Sequence, residues 1–181
     1  MIGLPTSLNV AGEEYPIRTD YRVILVIFAA FSDPNLSERE KITTCLNCLY
    51  KTIPEDTEGA MKQAMWFIDG AEVPSNSPHN LRLMDWEQDE GMIFAAVNRV
   101  AGKEIRAVEY LHWWTFLGYF YEIGEGRFAT VVGIRSKMAK GKQLTKEERE
   151  LLRDSGDTIK LKTRYSDEEI EEQERLKAIF T

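Results

Sequence analysis

The most aromatic stretch of the sequence lies between residues 110 and 121 and reads Tyr110-Leu111-His112-Trp113-Trp114-Thr115-Phe116-Leu117-Gly118-Tyr119-Phe120-Tyr121. On an ideal helix, seven of its side chains cover an arc of about 160°, which is wider than the apolar stripe of an ordinary surface helix. These are Tyr110, Trp113, Trp114, Phe116, Leu117, Phe120 and Tyr121. The stretch therefore predicts the central core helix of a helical domain.

The width of this arc also allows a binding role. Each ring can bury about 150–250 Å², which favours a packed core. Tryptophan and tyrosine are also common anchors at binding sites, because they offer a large contact area at low entropic cost. Both interpretations hold if Trp113 lies in the core and another ring lies at the rim of a groove that binds a partner.

Composition excludes several classes of protein. The chain has 181 residues, which is enough for one domain of ordinary size, and hydrophobic residues make up 43% of it. Its net charge of −7 argues against nucleic acid as a partner, because phosphate binding needs a basic surface. No apolar run approaches the roughly 20 residues that span a membrane. The two cysteines cannot form a disulfide framework, so we expect a reducing, intracellular setting.

Caps and breaks predict further helices on both sides of the aromatic stretch. The apolar run 23–31 fits a buried helix or a buried strand, and we favour a helix because Thr19 or Asp20 can cap it. A helix from Asp85 to about Ala101 is also predicted. Three others begin with capping-box pairs: Ser37 with Glu40, Thr145 with Glu148, and Ser166 with Glu169.

These elements predict a mainly α fold, a compact helical domain of about seven helices with a small N-terminal β-hairpin. We assign residues 1–141 to this domain and place the hairpin within residues 1–18. Residues 69–80 are rich in Gly, Pro, Ser and Asn and predict a flexible surface loop. Residues 142–181 form a charged helical C-terminal extension, which either packs on the domain or acts as an interaction arm.

Four carboxylates occur within six residues, in the segment Asp85-Trp86-Glu87-Gln88-Asp89-Glu90. Such a cluster can do acid–base chemistry or hold a metal, but acidic residues are also expected in the first turn of a helix. Asp89 and Glu90 flank the apolar stripe, so we expect one of them to be partly buried in an ion pair. Its partner would be Arg127 or Arg135. We favour this structural pair over a metal or catalytic site.

The other candidates for chemistry are isolated. Cys45 and Cys48 have Cys-x-x-Cys spacing, but Cys45 falls about two turns inside a predicted helix, so we interpret both as small buried residues. His112 lies in the aromatic stretch without an accompanying nucleophile, and we expect a partly exposed structural histidine. We therefore predict no catalytic, cofactor or metal site and no enzymatic activity.

Several motifs are similar to those of one family of phage proteins. They are Leu4-Pro5-Thr6-Ser7, Asp85-Trp86-Glu87-Gln88-Asp89 with Ile93-Phe94-Ala95-Ala96, Leu111-His112-Trp113-Trp114-Thr115-Phe116, and Arg127-Phe128 with Val132-Gly133-Ile134-Arg135. Together they resemble the bacteriophage gene-product-fifteen family, small tail-operon proteins of long-tailed phages and prophages of Gram-positive bacteria. The resemblance implies a tail assembly chaperone that coats the tape-measure protein in the host bacterial cytoplasm. It carries no catalytic residues over.

Three functions are compatible with these observations. The first is a non-enzymatic tail assembly protein that binds the tape-measure protein and can form homo-oligomers. The second is a structural virion component, such as a tail connector or completion protein. The third is a metal-dependent enzyme that uses Asp85, Glu87, Asp89 or His112. We favour the first, because the sequence lacks a catalytic constellation and offers an aromatic helix to a partner.

Overall fold

A computed structural model describes residues 3–71 and 81–179 and shows a mainly α-helical protein. It begins with an antiparallel hairpin of β1 (Ser7–Val10) and β2 (Glu13–Pro16). The described residues form nine α-helices: α1 (Tyr21–Ser32), α2 (Glu38–Leu49), α3 (Thr57–Ile68), α4 (Glu90–Ala101), α5 (Trp113–Tyr121), α6 (Arg127–Ala139), α7 (Lys146–Asp154), α8 (Gly156–Ile159) and α9 (Asp167–Ile179). A single 3-10 turn, Ile105–Ala107, precedes α5. The predicted fold class and hairpin are confirmed, and the helices exceed the expected seven partly because α8 is a single turn.

Side-chain caps begin the helices where the sequence predicts them. The carboxylate of Asp20 accepts the backbone N–H of Arg22, and the apolar run 23–31 is helical as favoured. The three predicted capping boxes are also formed, with reciprocal bonds in Ser37–Glu40, Thr145–Glu148 and Ser166–Glu169. Local hydrogen bonding thus places these four helix starts.

The predicted helix from Asp85 is wrong in its first turn, because α4 begins only at Glu90. The Asp85 carboxylate instead accepts the N–H groups of Glu87 and Gln88, at 3.0 and 2.8 Å, and residues 86–89 form a turn. A side chain that bonds two following N–H groups stabilises a turn in competition with a helix.

The predicted exposure of His112 is also wrong. Its side chain is only 4% exposed, and it is the N-cap of α5. Its Nδ1 accepts the backbone N–H of Trp114 at 3.0 Å, and its Nε2 lies 2.9 Å from the carbonyl of Pro5. Burial is therefore compatible with full hydrogen bonding of the ring, and the histidine ties the N-terminal segment to α5.

The core is built around the rings of α5. Trp113 and Phe116 are fully buried and stack on each other, with ring centroids 5.4 Å apart. Tyr21 of α1 also stacks on Phe116, with ring centroids 5.0 Å apart. The Trp113 indole N–H donates to the Ile68 carbonyl at the end of α3, at 2.8 Å. Helix α5 is thus the central core helix that its aromatic content predicts. The predicted helical arc is wrong for Tyr110, because His112 caps the helix and α5 begins only at Trp113.

The C-terminal extension divides into a packed part and an exposed helix. Ile159 of α8 is fully buried against Val131 and Ile134 of α6. The side chain of Gln88 donates to the Lys160 carbonyl at 2.8 Å and accepts the Lys162 N–H at 3.0 Å. In contrast, every side chain between residues 167 and 177 of α9 is exposed.

Three further sequence expectations concern the cysteines, the loop and the membrane. Cys45 is buried and Cys48 half-buried on α2. Most of the predicted surface loop, residues 72–80, lies outside the described residues. Within the described residues, no helix has the length and apolar character needed to cross a membrane.

Candidate functional site

The structure divides the seven predicted side chains of the aromatic stretch into three groups. The buried group consists of Trp113, Phe116 and Leu117. The half-buried group consists of Trp114 and Phe120. The exposed group consists of Tyr110 and Tyr121, whose exposed fractions are 55% and 57%. Core and surface positions therefore both occur within this one stretch.

An exposed aromatic surface lies along the outer side of α5. Trp114, Gly118 and Tyr121 recur at helical spacing and share one face. The ring of Trp66 on α3 is 41% exposed and meets Trp114 edge to face, with centroids 5.5 Å apart. The Trp114 indole N–H donates to the Phe67 carbonyl at 2.8 Å, which fixes the ring in place. We call Trp66, Trp114, Gly118 and Tyr121 the aromatic surface.

Gly118 leaves the middle of the aromatic surface without a side chain. A Cβ at this position would meet no atom within 4 Å beyond its own helix and chain neighbours. Glycine in a helix interior costs about 1 kcal/mol relative to alanine. Packing among the described residues therefore does not require glycine here, and the backbone of α5 is open to close approach by another chain.

Trp66 is the member of this surface that the sequence prediction missed. It lies on α3 away from the buried face formed by Ala60, Ala64 and Phe67. A tryptophan off the apolar face of an amphipathic helix is the signal that could have revealed it, because tryptophan is a common anchor at binding surfaces. Its contact with Trp114 depends on the packing of α3 against α5, which periodicity within one helix does not report.

Among the acidic residues, Asp89 forms a buried ion pair with Arg135. The two terminal nitrogens of Arg135 donate to the two carboxylate oxygens of Asp89, at 2.6 and 2.9 Å. The side chains are 5% and 0% exposed. Glu90 is exposed at the start of α4, and Arg127 is exposed in the first turn of α6. Of the two predicted arginines, the structure places Arg135 in the pair.

Asp85 is held by arginines from two directions. It forms ion pairs with Arg82 and with Arg164, the latter at 2.8 Å. Arg164 also pairs with Glu87 at 2.6 Å. Burial by itself would raise the pKa of Asp85, but the Gln88 N–H and the two guanidinium groups outweigh it and hold the pKa below its ordinary value. The carboxylate is therefore stabilised in its ionised, paired form.

The carboxylates that a metal-dependent enzyme would use are thus engaged by arginine side chains. Within residues 3–71 and 81–179, no three His, Cys, Asp or Glu side chains come together in a way that could hold a metal ion. The arrangement of Asp85 and Asp89 fixes the segment before α4 against α6 and residue 164. Its chemistry is that of a structural charge network.

A groove of about 450 Å³ lies between α4 and α6. Its apolar lining comes from Met92, Ala95, Ala96, Ile123, Phe128 and Ala129. Arg99 and Arg127 also line it and are exposed. The Arg99 guanidinium lies so close to Gly126, with φ +153°, that a Cβ there would be 3.2 Å from Nη1. The groove therefore combines an apolar floor with two positive charges.

Comparison with known proteins identifies the family. Residues 2–166 match the family model described as Bacteriophage Gp15 protein. The chain belongs to this family. The family that the sequence motifs predict is thereby confirmed, and the match supports a phage protein of the structural or assembly-related kind. No curated protein and no solved structure matches this chain.

The Gp15 match covers all three candidate sites described above but not the C-terminal helix. The aromatic surface, the charge network and the groove all lie within residues 2–166. The match ends at Ser166, the residue whose side chain caps α9. Helix α9 of this Gp15 protein thus lies outside the matched residues.

Proposed function

We propose that this Gp15 family protein is a non-enzymatic tail assembly chaperone that binds the tape-measure protein in the host bacterial cytoplasm. The observation that carries the proposal is the aromatic surface, where two tryptophans and a tyrosine surround a bare stretch of helix. The phage family supports the setting.

The aromatic surface suits a helical client. An amphipathic helix binds by laying its apolar face on a hydrophobic surface, and large rings provide most of the buried area in such contacts. Gly118 removes the side chain that would otherwise hold the two helix backbones apart. A long helical protein such as a tape-measure protein would offer this kind of face many times along its length.

Chaperone action also needs contacts that can be released. The aromatic surface is small and lies on the outside of the protein, so each contact with the client would be weak. Many copies bound along one client would nevertheless hold it through multivalent binding, and they could be displaced one by one when the tail tube forms. Homo-oligomers of this chain would strengthen such a coat.

Co-expression with the neighbouring tape-measure protein tests the proposal. We expect a soluble complex that Trp66→Ala or Tyr121→Ala weakens at least fivefold, since each removes an exposed ring of the aromatic surface. Tyr165→Ala is the matched control, because Tyr165 is 45% exposed and lies outside this surface. Trp114→Ala and Phe120→Ala are less specific, because both rings also pack against the core.

Two outcomes would contradict the chaperone proposal. One is the absence of any complex with the tape-measure protein at low and moderate salt. The other is mass-spectrometric detection of this protein in purified virions at a fixed copy number, which would instead support a structural component such as a tail connector or completion protein. A chaperone leaves the particle before the tail is complete.

A further inference from the structure

We propose that the groove between α4 and α6 receives helix α9 of a second copy of this chain, so that copies join arm to groove. The interface is separate from the aromatic surface and does not depend on the identity of the client. It goes beyond the proposed chaperone role, because it assigns a use to the one helix that lies outside the family match.

Helix α9 is exposed along its described length, as expected of an interaction arm. Its described side chains, residues 167–177, are all exposed, including Ile170 at 45% and Leu176 at 49%. It joins the body through the Ser166 cap and through the Asp167 N–H, which donates to the Asn35 side chain at 2.8 Å. A helix of this length is marginal in water without tertiary packing, so burial against a partner would stabilise it.

The charge of α9 is opposite to that of the groove. Residues 167–179 contain six acidic and two basic side chains, a net charge of −4. Glu168, Glu172 and Leu176 recur every fourth residue and therefore share one face of α9. That face presents two carboxylates followed by one exposed apolar side chain.

The groove offers the complementary set of groups. Arg99 and Arg127 can pair with the two carboxylates, and the floor around Met92 and Phe128 can receive the leucine. Arg127 lies in the first turn of α6, where a positive charge opposes the helix dipole. The stability of α6 therefore does not account for an arginine at this position.

The geometry favours a second copy as the occupant. The described lining of the groove comes from α4, α6, nearby loops and Thr158, and it includes no residue of α9 from the same chain. An arm on one copy that enters a groove on the next gives a heterologous interface, which builds rings or open chains. Such a chain of copies matches the repeated contacts that a coat around a long client needs.

A charge-swap experiment tests the proposal. Sedimentation velocity of the full-length protein at low salt should show self-association that weakens as the salt concentration rises. The pair Arg99→Glu and Arg127→Glu, or the pair Glu168→Lys and Glu172→Lys, should each weaken self-association at least tenfold. A mixture of these two variants should regain it, because the reversed arm then meets the reversed groove.

Controls make the result decisive. The pair Lys146→Glu and Arg149→Glu changes the net charge by the same amount at exposed positions of α7 and should leave self-association unchanged. All substituted residues are exposed, so each variant should fold, and circular dichroism is the measurement that checks this. A wild type that stays monomeric at high protein concentration, or a charge-swap mixture that fails to associate, would overturn the proposal. The effect of Tyr121→Ala on binding of the tape-measure protein tests the chaperone proposal separately, whichever result the self-association experiment gives.

Discussion

Arg135 spans from α6 to Asp89, the residue before α4, and closes a two-bond ion pair that solvent does not reach. The same guanidinium donates to the backbone carbonyls of Leu83, Thr158 and Ile159. One side chain therefore joins the start of α4, helix α6 and the packed part of the C-terminal extension.

We expect Asp89→Asn to destabilise the protein strongly. The substitution leaves the buried guanidinium of Arg135 without its counter-charge, and breaking one side of a buried pair typically costs about 3–5 kcal/mol. Urea unfolding followed by tryptophan fluorescence measures the free energy of unfolding. Asp154→Asn is the control, because its pair with Arg153 is exposed and should contribute less than about 1 kcal/mol. Equal effects of the two substitutions would contradict the structural role of Asp89.

We expect Gly118→Ala to stabilise the isolated protein while weakening client binding. The added methyl group meets no atom within 4 Å beyond its own helix and chain neighbours, and alanine gains up to about 1 kcal/mol in a helix interior. The same methyl group would hold a docked helix away from α5. Thermal unfolding and pull-down with the tape-measure protein give the two readouts. A stabilised variant that binds the client as well as the wild type would show that docking does not involve Gly118.

Acidification should destabilise the protein in part through Asp85. Its pKa in the folded state is held below its ordinary value, so its contribution is complete above about pH 4 and is lost as the pH falls through the folded-state pKa. We expect Asp85→Asn to cost about 1.5–3 kcal/mol at pH 7, with a smaller difference from wild type near pH 2.5. Unfolding free energies at a series of pH values test this. A difference that stays constant with pH would contradict it.

Cys45 should be inert to thiol reagents in the folded protein. Burial, followed by the influence of Cys48, raises the pKa of the Cys45 thiol to about 12, and its side chain is fully buried. In a Cys48→Ser variant at pH 8, we expect no reaction with Ellman's reagent until denaturant is added. Rapid labelling of the folded variant would show that α2 opens locally or that Cys45 is accessible.

Features that depend on neighbouring residues are predictable from this sequence. The cap at Asp20 and the three capping boxes involve partners within three residues, and each is found in the structure. The central position of α5 also follows from its rings, because burying so much apolar area requires the core. These features follow from local hydrogen bonding or from composition, and together they predict the positions of most of the helices.

Features that depend on contacts between distant segments are not predictable in the same way. One of the two arginine partners of Asp85, Arg164, is 79 residues away, and nothing in the spacing of either residue points to the other. His112 is buried because the Pro5 carbonyl reaches it from the N-terminal segment. Trp66 joins the aromatic surface only through the packing of α3 on α5. Tertiary packing decides each of these cases.

The bonds from Arg135 to the carbonyls of Thr158 and Ile159 have a consequence for how the molecule melts. Detaching the chain after residue 141 from the body would expose the buried Ile159 to water and remove two carbonyl acceptors from the Arg135 guanidinium, so detachment costs free energy. Detachment and global denaturation should therefore coincide in one cooperative transition, with equal calorimetric and van't Hoff enthalpies. Helix α9, whose described side chains are all exposed, can fray ahead of that event.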